Sequence, residues 1–178
     1  MGTDQTSRNA ADKTGGTDTP VGDGATDVET IARRSGSSFF WAMRLLPSER
    51  RQAMFALYAF CREVDDIADG AGHLDDKRAR LQNWREDIEC LFAGRPKHLV
   101  ALALLDAVRR YALSKDDFLL VIEGMEMDAD DSVRIADMDA LRDYCDHVAC
   151  AVGRLSTPIF GLSEDRGAEL ADALGQAL

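Results

Sequence analysis

Four polar side chains that could act together on a ligand lie within one short stretch of the sequence. Tyr58, Arg62, Asp65 and Asp69 are spaced so that, at about 100° per residue, they form a narrow stripe along a helix. The apolar residues between them occupy the adjacent arc, so the stripe borders the core instead of lying opposite it. A plainer interpretation is a solvated face on which Arg62 pairs with Asp65 or Asp66.

The carboxylates of this stretch accumulate where a helix tolerates them least. Glu63, Asp65, Asp66 and Asp69 fall in the last two turns before Gly70, where the helix dipole is negative. Asp65 and Asp69 are also like charges one turn apart, which repel each other. A bound cation would offset these penalties, and carboxylates at this spacing suit Mg²⁺, which bridges protein carboxylates to substrate phosphates. The stripe therefore predicts a Mg²⁺ site that holds a diphosphate.

The rest of the sequence predicts the helices that must position this stripe. From Asp27 onward, apolar residues recur every three or four positions, and Gly or Pro falls between the periodic stretches. This pattern is typical of an all-α fold. Pro47 suits a helix start, and Asp75, Ser114 and Ser163 suit side-chain caps. The predicted helices are 27–34, 37–45, 47–69, 75–93, 98–112, 115–128, 138–156 and 164–178.

The composition excludes several classes of function. The 178 residues are 46% hydrophobic and 30% charged, which fits one globular domain with its own core. The net charge of −11 argues against nucleic acid as a partner. The four cysteines and three histidines lack the spacing of a zinc site. Because no apolar run is long enough for a membrane span or a secretory signal, we predict a cytoplasmic protein.

The two ends of the chain differ from its middle. Residues 1–26 are rich in Thr, Gly, Asp and Ala and have almost no large apolar side chains, which predicts a disordered tail. Residues 27–178 are predicted to belong to one domain. The stretch 168–178 is an amphipathic helix that stops on an apolar residue without a cap, which favours a fragment of a longer protein over an exposed apolar end.

Three segments in order resemble the squalene/phytoene synthase family, the trans-isoprenoid head-to-head synthases. The opening loop and first aspartate-rich motif of that family are similar to SGSSFFWAMRLLP at 35–47 and YAFCREVDDIAD at 58–69. A third family segment is similar to YCDHVACAVG at 144–153. Together with GMEMD at 124–128, these segments are most like the bacterial presqualene diphosphate synthases of hopanoid biosynthesis.

The resemblance implies an isoprenoid-synthase fold, an all-α helical bundle around a central cavity, with Mg²⁺ between two aspartate-rich motifs and the substrate diphosphates. Asp65 and Asp69 would bind Mg²⁺ with the assistance of Asp66, and Arg62 would contact diphosphate. The second aspartate-rich motif of the family is absent from these 178 residues. We therefore expect a bundle truncated at its carboxyl end and a chain that is inactive alone.

The resemblance also implies which residues bind the rest of the substrate. Ser35, Ser37 and Ser38 would lie in the diphosphate-binding loop, although Gly36 stands where some members have a serine. The residues that would line the prenyl cavity are Phe39, Tyr58, Tyr144, Val148 and Gly153. The residues implied to be catalytic are Asp65, Asp69, Tyr58 and Arg62, and the ring faces of the tyrosines would also steady carbocation charge.

The implied reaction is the Mg²⁺-dependent condensation of two farnesyl diphosphates to presqualene diphosphate, with release of diphosphate. NADPH is not predicted, because the sequence has no GxGxxG after a strand. The first alternative is a phytoene synthase that joins two geranylgeranyl diphosphates. A diphosphate hydrolase and a non-enzymatic helical scaffold are weaker alternatives. Peripheral contact with the inner face of the membrane and with neighbouring enzymes of the hopanoid pathway stays open.

Residues outside these motifs have plainer interpretations. Four apolar residues at helical spacing are predicted to be core: Phe118, Leu119, Ile122 and Met125. A group of acidic residues is predicted to be a solvated turn and not a second metal site: Glu126, Asp128, Asp130 and Asp131. His147 is predicted to lie on the polar surface.

Overall fold

The computed structural model of the protein describes residues 24–34, 38–130 and 135–177, with the side chains of 24–27 and 38 outside the description. Within these ranges every regular element is helical and no strand occurs. The all-α prediction is therefore confirmed. The predicted disordered tail lies mostly outside the described residues, and the first helix begins at Gly24, three residues before its predicted start.

The described part of the chain forms nine α-helices and one π-helical turn. They are α1 (Gly24–Arg34), α2 (Ser38–Arg44), α3 (Ser48–Asp69), α4 (Leu74–Phe92), α5 (Leu99–Tyr111), α6 (Lys115–Asp128), α7 (Met138–Cys145), the π turn (Asp146–Cys150), α8 (Ala151–Phe160) and α9 (Glu164–Gly175). Every predicted helix has a counterpart. None of the helices in these ranges combines the length and the apolar character that crossing a membrane requires.

Local signals explain where several helices begin. The Ser114 hydroxyl accepts a hydrogen bond from the Asp117 N–H at 3.3 Å, so Ser114 caps α6 as predicted. Pro47 immediately precedes α3 instead of forming its first residue. Helix α4 begins at Leu74, so Asp75 is not its cap. Asp75 lies in the first turn, where its charge favours the helix dipole.

Helix α3 lies at the centre of the core. Its Leu57, Phe60 and Val64 are at most 1% exposed, and it contacts α1, α4, α5, α6 and α8. The ring of Phe60 packs edge-on against Trp84 of α4 and Phe118 of α6, with centroids 5.3 and 5.1 Å apart. This packing fixes the rotation of α3 about its axis and therefore the direction of its polar stripe.

The segment Met138–Phe160 is one continuous helical run that contains the π turn. The sequence predicted a uniform helix that ended four residues earlier. The Ala151 N–H bonds to the Asp146 carbonyl, five residues before it, which locally widens the helix. The run continues through Pro158 and ends before Gly161, whose φ of 88° is readily adopted only by glycine.

Candidate functional site

A cleft of about 200 Å³ opens between α3, α6, the π turn and α8. Its polar rim is formed on α3 by Tyr58, Arg62 and Asp65. The remaining lining is apolar and comes from Cys61 of α3, Val121 and Met125 of α6, Val148 of the π turn and Val152 of α8. A cleft with these two kinds of lining suits a ligand that has a charged head and an apolar tail.

The helical spacing of α3 places the polar rim at the border of the core. Tyr58, Arg62 and Asp65 are four and three residues apart and therefore share one face of the helix. Tyr58 and Asp65 are half-buried, whereas Arg62 and Asp69 are exposed. The position of the stripe agrees with the helical-wheel prediction. Asp69 lies outside the cleft lining, one turn beyond Asp65.

The charged side chains of the stripe pair with one another. One nitrogen of the Arg62 guanidinium lies 3.0 Å from the Asp65 carboxylate, and the other lies 2.6 Å from the Asp66 carboxylate. These are the pairs that the plainer interpretation expected. The Arg62 side chain is 44% exposed, and ion pairs at that exposure contribute at most about 1 kcal/mol. A charged ligand can therefore displace them at little cost.

The carboxylate of Asp65 lies in a surplus of negative charge. Its pKa is raised, first by burial and then by the charge of Asp69, while Arg62 acts in the opposite direction. Asp66 on the same helix and Asp128 on α6 raise the pKa further. The single guanidinium does not neutralise this group of carboxylates, so the site favours an additional cation.

Asp128 and Tyr144 lie outside the cleft lining, and Asp128 belongs to the same acidic group because its charge acts on Asp65. The Tyr144 hydroxyl donates a hydrogen bond to the Asp128 carboxylate at 2.8 Å. Burial, and next this hydrogen bond, raise the pKa of Tyr144 to about 12. The prediction of a solvated turn is wrong for Asp128, which is half-buried at the end of α6. The GMEMD segment of the sequence indicated that Asp128 belongs to a functional motif, but the helical pattern does not indicate that Tyr144 is its partner.

Glu126 also departs from the predicted solvated turn. Its carboxylate accepts two hydrogen bonds from the Arg85 guanidinium, at 3.0 and 2.8 Å, which join α6 to α4. Asp131 lies outside the described residues, and Asp130 is half-buried. The predicted core of α6 is confirmed, since Phe118, Ile122 and Met125 are buried and Leu119 packs against them.

The structure does not bring all of the proposed substrate residues to the cleft, and Tyr144 is one that does not line it. Gly153 faces α9, where an added Cβ would lie 2.8 Å from the Cβ of Ala171. Phe39 on α2 is 69% exposed. Ser35 and Ser37 lie outside the described residues, as does the side chain of Ser38 at the start of α2.

Val148 reaches the cleft because α6 and the π turn approach closely at Gly124. A Cβ at Gly124 would lie 2.8 Å from Cγ1 of Val148 and 3.2 Å from Cβ of His147, so only glycine fits without a shift. His147 is not the surface residue that the sequence predicted. Its side chain is 13% exposed, because the π turn directs it against α6. Single π turns occur frequently at functional sites.

A second group of acidic residues surrounds Arg154 behind the cleft. In the described part of the chain, Asp146, Cys150 and Asp172 bring three ligand-type atoms within 4.8 Å of one another. One Arg154 nitrogen already lies 2.8 Å from Asp146 and 2.7 Å from Asp172, and another donates to Asp117 at 2.7 Å. Burial lowers the pKa of Arg154, but these carboxylates outweigh it and raise the pKa overall. The guanidinium therefore takes the place of a metal here.

Comparison with known proteins identifies relatives of this chain. A family profile described as squalene/phytoene synthase matches residues 32–178. The presqualene diphosphate synthase of Rhodopseudomonas palustris is 50% identical over 143 residues, which are 80% of this chain and 51% of that protein. Phytoene synthase 3 of Zea mays is 37% identical over 133 residues, 75% of this chain and 31% of that protein.

Solved structures agree with this assignment. The squalene synthase HpnC of Alicyclobacillus acidocaldarius has a TM-score of 0.73 at 33% identity, over 86% of this chain and 59% of that one. A dehydrosqualene synthase in complex with ligand has a TM-score of 0.75 at 28% identity, over 86% and 53%. The chain spans about half the length of the curated presqualene diphosphate synthases that it matches. Its sequence and its fold together show that it belongs to the squalene/phytoene synthase family.

Proposed function

We propose that this chain provides one metal-binding wall and part of the prenyl cavity of a presqualene diphosphate synthase. The substrate would be farnesyl diphosphate, and two molecules would be joined head to head. The observation that carries the proposal is the cleft itself, in which the acidic rim on α3 meets an apolar lining from α6, the π turn and α8. The greater identity to presqualene diphosphate synthases than to phytoene synthases supports the same choice.

The acidic rim fits a divalent cation. Asp65 and Asp69 would hold Mg²⁺ with Asp66 beside them. The pKa of Asp65 is raised first by burial and then by the charge of Asp69, and Arg62 only partly opposes this. Bound there, Mg²⁺ would act as a Lewis acid toward the leaving diphosphate. The Arg154 group is a poorer site for the metal, because its guanidinium already bonds to both carboxylates.

The residues around the rim would orient the substrate. Arg62 would exchange its exposed pairs with Asp65 and Asp66 for diphosphate oxygens, to which a guanidinium bonds in a bidentate manner. Tyr58 would present its ring face at the border between the charged and the apolar lining. Tyr144 of α7, held by Asp128 and outside the lining of the cleft, would add a second ring face once substrate is bound. The apolar residues of the cleft would exclude water from the reacting carbons.

The proposed reaction is redox-neutral. The C–O bond of one farnesyl diphosphate breaks, and its diphosphate leaves with the bonding electrons. The double bond of the second molecule attacks the resulting allylic cation, and loss of one proton closes a cyclopropane ring. One diphosphate and one proton are released and no electrons are transferred, so the reaction needs no NADPH.

The surroundings of the enzyme follow from the same proposal. Its substrate and product are lipids, so we propose peripheral contact with the inner face of the membrane and with neighbouring enzymes of the hopanoid pathway. Because the 178 residues contain one aspartate-rich motif of the two that the family uses, we expect no turnover from this chain alone.

The test is a chimera in which residues 32–178 replace the matching part of the Rhodopseudomonas palustris presqualene diphosphate synthase. The chimera is incubated with farnesyl diphosphate and Mg²⁺, without NADPH, and the products are analysed by mass spectrometry. Presqualene diphosphate is expected, and Asp65→Asn should abolish it. The matched control is Asp106→Asn, which removes one charge from an 80% exposed side chain on α5.

Two results would contradict the proposal. A chimera that makes phytoene from geranylgeranyl diphosphate and nothing from farnesyl diphosphate would make the protein a phytoene synthase. A chimera with native helical content that couples neither substrate would exclude both synthases. Release of diphosphate without a coupled product would instead indicate a hydrolase.

A further inference from the structure

A polar network connects α4, α6 and the π turn on the side of α6 that faces away from the cleft. The Arg85 guanidinium donates two hydrogen bonds to Glu126 and a third to Glu123 at 3.2 Å. The second carboxylate oxygen of Glu123 lies 3.4 Å from Nε2 of His147. None of these residues lines the cleft, so the network has a task other than direct contact with substrate.

His147 is held at both of its ring nitrogens. Nδ1 lies 2.7 Å from the backbone carbonyl of Asp143, which can only accept a hydrogen bond, so Nδ1 is the donor. Nε2 lies 3.4 Å from a carboxylate oxygen of Glu123. The contact with Asp143 lies within the helical run, and the contact with Glu123 crosses to α6. The ring therefore fixes the distance between the helical run and α6.

The backbone around His147 carries Val148, which lines the cleft, and Tyr144, which bonds to Asp128. Tyr144 lies one turn before His147, and Val148 follows it directly. The Tyr144 hydroxyl meets Asp128 at 2.8 Å only when the π turn lies close to α6. Gly124 allows this approach, since a Cβ at this position would lie 2.8 Å from Val148 and 3.2 Å from His147. A shift of the π turn away from α6 would therefore break the Tyr144–Asp128 bond.

We propose that His147 is a positioning residue, whose contact with Glu123 holds the π turn against α6 and thereby sets Tyr144 on Asp128 and Val148 in the cleft. Arg85 contributes by fixing the Glu123 carboxylate from the other side. The inference rests on the proposed function only in taking the cleft as the place where substrate binds. The arrangement of Tyr144 can be measured without any activity.

The two contacts of His147 can be separated by substitution in the 178-residue chain. His147→Asn keeps a donor near the position of Nδ1 and loses the reach to Glu123, whereas His147→Gln extends a donor toward Glu123. The probe is the ¹³C NMR signal of the Tyr144 ring carbon that bears the hydroxyl, assigned by its absence in Tyr144→Phe. Asp128→Asn gives the signal of a Tyr144 that has lost its carboxylate partner.

We expect His147→Asn to move the Tyr144 signal most of the way to its position in Asp128→Asn, and His147→Gln to leave it near its native position. His73→Asn is the matched control, because His73 is exposed and makes no side-chain cap bond. Circular dichroism checks that each variant is folded. If His147→Asn does not fold, Glu123→Gln takes its place and should move the signal in the same direction.

Two results would overturn the inference. In the first, the Tyr144 signal stays in place in His147→Asn and Glu123→Gln while it moves in Asp128→Asn. In the second, His147→Asn and His147→Gln move the Tyr144 signal equally. The second result would assign the effect to the contact with Asp143 alone. A chimera without synthase activity, combined with the expected NMR shifts, would refute the proposed function and leave the positioning role intact.

Discussion

The cleft has an α3 wall, formed by α3, and a facing wall, formed by α6, the π turn and α8. On the α3 wall, the charged side chains lie at the rim and pair with neighbours on the same helix. Behind the facing wall, the charged side chains pair across helices. Arg62 and its carboxylates are each more than 40% exposed. Arg154 is 19% exposed and joins α6, the π turn and α9. The α3 wall is positioned by apolar packing and leaves its charges exposed, while the facing wall uses the less exposed charge of Arg154 to hold its helices together.

This difference makes the facing wall more sensitive to the loss of a single charge. Arg154→Met should lower the free energy of unfolding by about 3 kcal/mol, because it leaves the carboxylates of Asp117, Asp146 and Asp172 without their shared cation. Urea unfolding at neutral pH measures the effect. A loss smaller than that of Arg62→Met would show that the Arg154 network does not hold the wall together.

The next largest effect on stability is expected at Gly124, where α6 and the π turn pack closely. Gly124→Ala should cost about 1–2 kcal/mol, because the clash with Val148 exceeds the gain in helix propensity. It should also move the Tyr144 NMR signal. The matched variant is Gly153→Ala, whose Cβ would clash with Ala171 on α9 and should leave that signal in place. Equal effects of the two variants on Tyr144 would contradict a local role for Gly124.

The Tyr144–Asp128 bond gives the facing wall a dependence on alkaline pH. The pKa of Tyr144 in the folded protein is about 12, above its ordinary value of 10. Its contribution to stability is therefore complete below pH 10 and is lost as the pH rises toward 12. Tyr144→Phe should lower the free energy of unfolding by about 1 kcal/mol at neutral pH. It should also abolish the part of the stability loss at alkaline pH that comes from Tyr144. Urea unfolding of both proteins at several pH values would show parallel curves if Tyr144 had no such role.

The smallest effect on stability is expected on the α3 wall. Arg62→Met should change the free energy of unfolding by less than about 1 kcal/mol, because its ion pairs are exposed. The same substitution in the chimera should strongly raise the KM for farnesyl diphosphate. A large loss of stability with an unchanged KM would assign Arg62 to the fold and not to the substrate.

The two walls also differ in how far the sequence predicts them. The α3 stripe could be placed because Tyr58, Arg62 and Asp65 belong to one helix, where the 3.6-residue period decides which side chains share a face. The buried stripes of α4 and α6 follow from the same period. The helices themselves were predictable for this reason, with their ends shifted by a few residues.

The facing wall depends on contacts that a helical period does not contain. Tyr144 and Asp128 are 16 residues apart on two different helices, and the period within either helix does not indicate that they pair. The π turn adds a residue to one helical turn, and no propensity marks its position. The sequence alone therefore predicts His147 on the surface, whereas the π turn directs it against Glu123 on α6.

The most direct test of the difference between the walls is to locate a bound metal. Mn²⁺, a paramagnetic substitute for Mg²⁺, is added with inorganic diphosphate to the ¹⁵N-labelled 178-residue chain, and the broadening of backbone NMR signals is recorded. If the α3 wall binds the metal, the signals of residues 62–69 broaden, and Asp65→Asn removes the effect while Asp106→Asn does not. Broadening centred on Asp146 and Asp172, or broadening of α3 that survives Asp65→Asn, would contradict the assignment of the metal to the acidic rim.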